Sequence, residues 1–146
     1  MAKNMKTENP APADKRSVLL RGNAKEFYEW CRKRELRFQR CQDCGVWRHP
    51  PRPMCGSCHS MRREWAPTLG KGKVYCWTVV HQALDPAFAN EVPYAAAIVE
   101  LDEGPRLATW ITGLPPDRLT VGMPVEVWFD DLDDQVALPK FRPLIE

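Results

Sequence analysis

The sequence predicts a mainly β protein built from one helix near the N-terminus, a small cysteine ribbon and a barrel of five short strands. Three observations lead there. The 146 residues hold 14 Pro against 8 Gly and carry six Trp, a composition that favours strands joined by stiff turns over a long helical bundle. Four cysteines fall as two C-x2-C pairs between Cys41 and Cys58. From Gly70 onward apolar residues recur with period two and no helical period competes. No apolar run approaches the roughly 18 residues that span a bilayer. The N-terminal segment has no apolar core of the secretory kind, so a reducing cytoplasm is the expected compartment.

Taken in order, residues 1–20 are rich in Pro, Ala, Lys and Asn and read as a flexible tail. Residues 21–66 form the helix and ribbon, and residues 67–146 the barrel. After Gly22, Asn23 is an N-cap candidate, with Glu26 three residues on to complete a capping box. The helix then runs from Ala24 to about Arg34, with Phe27, Trp30 and Cys31 on one face. Leu36, Phe38 and Arg40 alternate with Arg37 and Gln39, the pattern of an edge strand that runs into Cys41. Short strands are expected at Val46–His49 and Arg63–Trp65, with Pro50, Pro51 and Pro53 stiffening the connection.

The barrel strands are expected at Val74–His81, Tyr94–Leu101, Leu107–Thr112, Val125–Asp130 and Gln135–Phe141, with Gly and Pro turns between them. The first is long enough to bend between two sheets. Gly70-Lys71-Gly72-Lys73 lacks the spacing and the Ser/Thr of a phosphate loop and reads as a twisted start to that strand. Odd-numbered residues point inward. Five short strands with this patterning fit an OB-fold.

The ribbon carries the chemistry. Thiolates are soft ligands, and Cys41, Cys44, Cys55 and Cys58 supply four of them around one Zn²⁺. Iron has the same ligand set open to it. Four protein ligands leave no open coordination position, so the site builds structure and activates no water. His49 and His59 flank the knuckles as alternatives for a Cys3His site, with a surrounding or surface role favoured. Cys31 and Cys76 read as small buried thiols. The three histidines and three serines offer little for a Ser-His-Asp arrangement, because Ser17 lies in the tail and Ser57 and Ser60 in a knuckle. Asp130, Asp131, Asp133 and Asp134 read as a solvated turn. No catalytic residue is assigned.

Charge divides the chain. Residues 1–65 hold 15 Lys+Arg against 7 Asp+Glu, net +8, and residues 66–146 hold 6 against 12, net −6. A basic first half admits a phosphate-bearing partner. An acidic barrel speaks against the alternative function, a single-stranded nucleic-acid-binding zinc-ribbon and OB module.

The run Phe27-Tyr28-Glu29-Trp30, then Gln39-Arg40-Cys41-Gln42-Asp43-Cys44-Gly45, Pro50-Pro51-Arg52 and Cys55 to Cys58 resembles the zinc-ribbon and OB-fold family long called domain of unknown function thirty-five. Further matches are Gly70 to Trp77, Pro93-Tyr94, Val99 to Gly104 and Val121 to Val127. The second knuckle departs from the family by lacking Pro after its third Cys and Gly after its fourth. The resemblance implies a rubredoxin-like ribbon with one structural zinc and a hetero-oligomeric role. The chain would be a non-catalytic subunit that associates with a thiolase-like enzyme (thiolase, acyltransferase or retro-aldolase) or a hydratase acting on acyl-CoA thioesters, as in steroid or lipid side-chain degradation. Beside it, Phe27 and Trp30 on the helix and Trp110 and Trp128 on outer barrel faces form a candidate partner interface, against the alternative that a strand or the helix covers them. Arg37, Arg48 and Arg52 are candidates for steering the phosphates of coenzyme A, against that of a solvated basic surface.

Overall fold

The structure, a computed structural model, describes Val18 and residues 20–145. The tail expected over residues 1–20 lies outside them apart from Val18 and Leu20. Helix α1 (Gly22–Arg32) is followed by β1 (Arg37–Cys41), β2 (Trp47–Arg48) and β3 (Arg63–Pro67), an antiparallel sheet in the order β2-β1-β3. Strand β1 is therefore central, a correction to its expected edge position. It is the most buried of the three, with Phe38, Gln39 and Cys41 inside, and it has a partner on each side. Strands β4 (Lys71–Val80), β5 (Tyr94–Leu101), β6 (Arg106–Ile111), β7 (Pro124–Asp131) and β8 (Ala137–Pro143) close a barrel in the order β4-β5-β6-β8-β7. The β6–β8 pairing is parallel, with Ile111 opposite Phe141, and the others are antiparallel. This is the five-stranded OB-fold that the strand spacing predicted.

Helix α1 buries Phe27 and Cys31, one turn apart, against Phe38 of β1, with the Phe27 ring centroid 6.1 Å from that of Phe38. Full burial of one such side chain contributes about 1.5–3 kcal/mol. The expected capping box does not form. The N-cap is Arg21, with no side-chain bond, and the two supposed capping groups reach across to β3: Asn23 Oδ1 accepts from Arg63 Nη2 at 3.2 Å and Glu26 Oε2 from Trp65 Nε1 at 2.5 Å. Tertiary partners have outcompeted the local motif. The helix stops at Arg32, and Arg34, at φ +63°, turns the chain out of it. From there the Arg34 guanidinium grips Asp131 at the end of β7 through two bonds of 2.8 and 2.6 Å.

Barrel packing follows the predicted odd-numbered register in β5 to β8, but β4 before its bulge turns the even-numbered Gly72 and Val74 inward, a correction to that register. Along β5 burial alternates strictly, with Ala95, Ala97, Val99 and Leu101 inside, and Leu107, Ile111, Val125 and Phe141 meet them. Closure depends on Gly72, which pairs with Leu101 of β5 and Val125 of β7; a Cβ there would sit 2.3 Å from the Glu100 carbonyl oxygen. Only glycine lets three backbones approach so closely. Between Val74 and Cys76 the β4–β5 register slips by one residue. That bulge reverses the side-chain alternation, so Cys76 is exposed, which corrects its expected burial; Cys31 is buried as expected.

Candidate metal centre and docking face

Each knuckle is a tight turn that returns the chain onto itself. The Gly45 N–H donates to the Cys41 carbonyl at 3.0 Å, and the His59 N–H to the Cys55 carbonyl at 3.0 Å. Both closing residues take a left-handed conformation, Gly45 at φ +74° and His59 at φ +61°. Asp43 joins the two turns, accepting from the Ser60 hydroxyl and from Arg62 Nη1, the latter at 2.7 Å. The result brings four sulfurs together. All lie within 4.8 Å of one another, with Cys41 Sγ 3.6 Å from Cys58 Sγ and Cys44 Sγ 3.6 Å from Cys55 Sγ. Ligands at about 2.3 Å in a tetrahedron stand about 3.8 Å apart, so the spacing fits one Zn²⁺ and is far too long for disulfides. The expected ligand set is thus the set that the fold assembles, and neither His49 nor His59 joins it.

The local electrostatics prepare these thiols unequally. The Cys58 and Ser57 N–H groups point at Cys55 Sγ and lower its pKa to about 6. The Cys44 and Asp43 N–H groups likewise lower Cys41. At Cys58 the Ser60 N–H pulls the same way, but desolvation and the three neighbouring sulfurs outweigh it, and the thiol is pushed up to about 12. Four thiolates without a cation repel one another; a dication at their centre removes that penalty.

Behind the knuckles lies a polar hub that the spacing of the sequence does not reveal. Gln39 is fully buried, and its Oε1 accepts from Arg48 Nε and from the Arg52 N–H, both at 2.8 Å, so its side chain pins the proline-rich connection to β1. The His49 ring stacks on Phe38 at 4.6 Å and lies 5.1 Å from Phe27. Burial lowers its pKa to about 4 and keeps it neutral. Of the three arginines considered for phosphate steering, Arg37 is engaged by Glu35 and the Trp65 carbonyl, Arg48 by Gln39, and Arg52 extends into solvent.

The aromatic residues separate into two groups. Phe27 is 4% exposed and belongs to the core, a correction to its expected place at an interface: its ring packs against that of Phe38, with centroids 6.1 Å apart. Trp30 is half-buried, with the Arg37 guanidinium 4.1 Å and the Lys33 ammonium 4.4 Å from its ring. Trp110 and Trp128 stand on the outer barrel face as the register predicted, and both are partly covered. Trp110 stacks on Tyr94 at 4.0 Å, and Trp128 donates through Nε1 to the Thr112 hydroxyl at 2.8 Å. Between them lies Lys140, 7% exposed, bonded to Asp130 at 2.6 Å and 4.4 Å from the Trp110 ring. Nothing in the apolar pattern marks Lys140, although its register opposite Trp128 puts it beneath the indoles.

A ribbon with four converging cysteines joined to a closed five-stranded barrel defines a zinc-ribbon OB-fold protein. Residues 31–61 match the family described as ChsH2, rubredoxin-like zinc ribbon domain, and residues 65–130 that described as ChsH2, C-terminal OB-fold domain. The chain is 38% identical over 112 residues to a DUF35 domain-containing scaffold protein of Methanocaldococcus jannaschii, covering 72% of this chain and 79% of that one. It therefore belongs to the DUF35 family, the one its motifs resemble. It is also 40% identical over 138 residues to a Thermomonospora curvata protein described as a probable enoyl-CoA hydratase alpha subunit, covering 94% of this chain and 42% of that protein. It spans less than half the length of that relative. Among solved structures, a chain of the Ltp2-ChsH2(DUF35) aldolase superposes with a TM-score of 0.80 at 41% identity, over 89% of this chain and 100% of that one. Among the described residues no helix is long and apolar enough to cross a membrane.

Proposed function

We propose that this protein is a small non-catalytic subunit that docks on a larger thiolase-like enzyme acting on acyl-CoA thioesters and stabilises it. The observation that carries this reading is its likeness to the DUF35 chain of the Ltp2-ChsH2(DUF35) aldolase, which it matches along that chain's whole length. Zinc closes the ribbon, the barrel displays Trp110 and Trp128, and the helix displays Trp30 beneath its two cations. Tryptophans at a partly dry surface are frequent anchors of protein interfaces. Arg52, the exposed arginine beside the cysteine knuckles, is the group of the original three best placed to meet a coenzyme A phosphate at the edge of such a complex.

The test is purification of the tagged full chain from its own cells at moderate salt, with identification of any stoichiometric companion. A thiolase-like companion, lost on Trp110→Ala plus Trp128→Ala while zinc content stays at one ion per chain, is the expected result. A hydratase companion would keep the accessory role and replace the enzyme class. Retention of a single-stranded oligonucleotide without a protein companion would overturn the reading.

A further inference from the structure

The two cysteines of each knuckle are not equivalent. Cys41 and Cys55, the first of each pair, are buried, whereas Cys44 and Cys58 are exposed. Their hydrogen bonds divide the same way. Among the described residues Cys41 Sγ meets two N–H groups, those of Asp43 and Cys44, and Cys55 Sγ meets those of Ser57 and Cys58, while Cys44 Sγ meets only the N–H of Val46 and Cys58 Sγ only that of Ser60. Each N–H aimed at a thiolate draws negative charge from the sulfur and weakens it as a nucleophile. Solvent access and electron density are therefore both greatest at Cys44 and Cys58. Each of these also stands 3.6 Å from a buried sulfur of the other knuckle, Cys58 from Cys41 and Cys44 from Cys55. An exposed thiolate backed by a second sulfur is the arrangement in which an oxidised thiol is captured by its neighbour before it is oxidised further.

We propose that the cysteine centre is also a reversible oxidation site, in which Cys44 and Cys58 are the peroxide-reactive thiolates and Cys55 and Cys41 resolve them into two disulfides across the knuckles, expelling the metal. The chemistry balances with hydrogen peroxide as the oxidant. The Cys58 thiolate attacks one peroxide oxygen, the O–O bond breaks and hydroxide departs, leaving a sulfenic acid on Cys58. The Cys41 thiolate then attacks Cys58 Sγ, the S–S bond forms and a second hydroxide departs. Two thiolates have lost two electrons and one peroxide has gained them, and both hydroxides take protons from solvent to become water. Cys44 and Cys55 repeat the sequence with a second peroxide. The thiolate is the metal ligand, so a pair of disulfides no longer holds the dication. A thiol reductant reverses both bonds. Cys31, buried in α1, and Cys76, exposed on β4, belong to neither knuckle. The site does not depend on which enzyme the chain joins.

The experiment treats the zinc-loaded full chain, carrying Cys76→Ser to remove the exposed barrel thiol, with hydrogen peroxide. Released zinc is read with a colour-forming chelator, and remaining thiols are blocked before the peptides are mapped by mass. Met54 and Met61, exposed beside the second knuckle, take up oxygen from the same reagent and calibrate the dose. At a dose that oxidises them, the expected result is release of one zinc ion per chain in step with Cys41–Cys58 and Cys44–Cys55 disulfides, two hydrogens lost for each. Dithiothreitol followed by zinc should restore the starting protein. Dimedone, which caps sulfenic acids, should mark Cys44 and Cys58 about tenfold or more over Cys41 and Cys55. Zinc retained when Met54 and Met61 are fully oxidised would overturn the proposal. So would zinc lost without disulfides, disulfides within a knuckle, or dimedone mainly on Cys41 or Cys55.

Discussion

The ribbon sheet has strands of 5, 2 and 5 residues, and beyond the ligand Cys41 its strands bury Phe38, Gln39 and Ala66. The barrel has strands of 6 to 10 residues and an interior of Val74, Ala97, Val99, Leu107, Val125 and Phe141. Each buried aliphatic or aromatic side chain contributes about 1.5–3 kcal/mol, so the barrel draws far more stability from apolar burial than the ribbon does. The ribbon needs a second source of order. Metal coordination supplies it, and helix α1 joins the two regions by resting Phe27 and Cys31 on one continuous core that includes residues of both.

The largest effect should come from breaking that metal centre. Structural Zn²⁺ in small peptides binds with an apparent free energy of about 10–16 kcal/mol at pH 7, which is folding free energy for a domain with so little core. Chelation, or Cys55→Ser, should abolish hydrogen-exchange protection in β1, β2 and β3 while β4 to β8 stay protected, with zinc content falling from one ion per chain. A ribbon that stays protected without metal, or a barrel that unfolds with it, would undo the contrast between the regions.

The converse break is Gly72→Val. Its side chain would meet the Glu100 carbonyl oxygen, a backbone atom that cannot step aside without opening the β4–β5 pairing. The expected cost is about 3 kcal/mol or more, seen as a large fall in the barrel's Tm with zinc content unchanged.

How legible each region was follows from the same physics. Barrel strands were readable because burial on one face imposes period two, and β5 was predicted to the residue. The four ligands were readable because C-x2-C spacing carries its geometry with it. Cys76 was misplaced because a bulge leaves no mark in a short apolar run, and the Asn23–Glu26 box because long-range partners on β3 took both side chains. Gln39 and Lys140 were missed since a polar residue's burial depends on partners far along the chain: Arg48 and the Arg52 N–H for one, Asp130 and two indoles for the other.

A smaller effect sharpens the role of the hub between the regions. The folded pKa of His49 is lowered to about 4 from an ordinary 6.5, so between these values the unfolded chain binds the extra proton and stability falls as pH falls. Below the folded value both states are protonated and the loss stops growing, at about 3 kcal/mol in all. At pH 5 the loss relative to pH 7 should be about 2 kcal/mol. Acid also weakens zinc binding, so the readout is the difference between proteins: denaturant unfolding of His49→Phe should lose less stability between pH 7 and pH 5 than the unaltered chain. An identical loss in both would remove His49 from the account.

The smallest effect compares the two knuckles with each other. Gly45 and His59 close equivalent turns, each directly after its knuckle's second cysteine and each donating to the first cysteine's carbonyl, and both stand at positive φ. Glycine takes that conformation without strain, whereas a residue with a Cβ is disfavoured by about 1–2 kcal/mol. His59→Gly removes the strain but enlarges the freedom of the unfolded chain, which offsets about 0.4–1 kcal/mol of the gain. The net expectation is a stabilisation of about 0.5–1 kcal/mol, confined to the ribbon, and Gly45→Ala should destabilise the same region by about 1 kcal/mol. Both are measurable as opposite shifts in the chelator concentration that strips half the zinc. His59 is exposed and makes no metal bond, so a loss of zinc retention on His59→Gly would mean that its side chain supports the knuckle in a way the backbone geometry does not require.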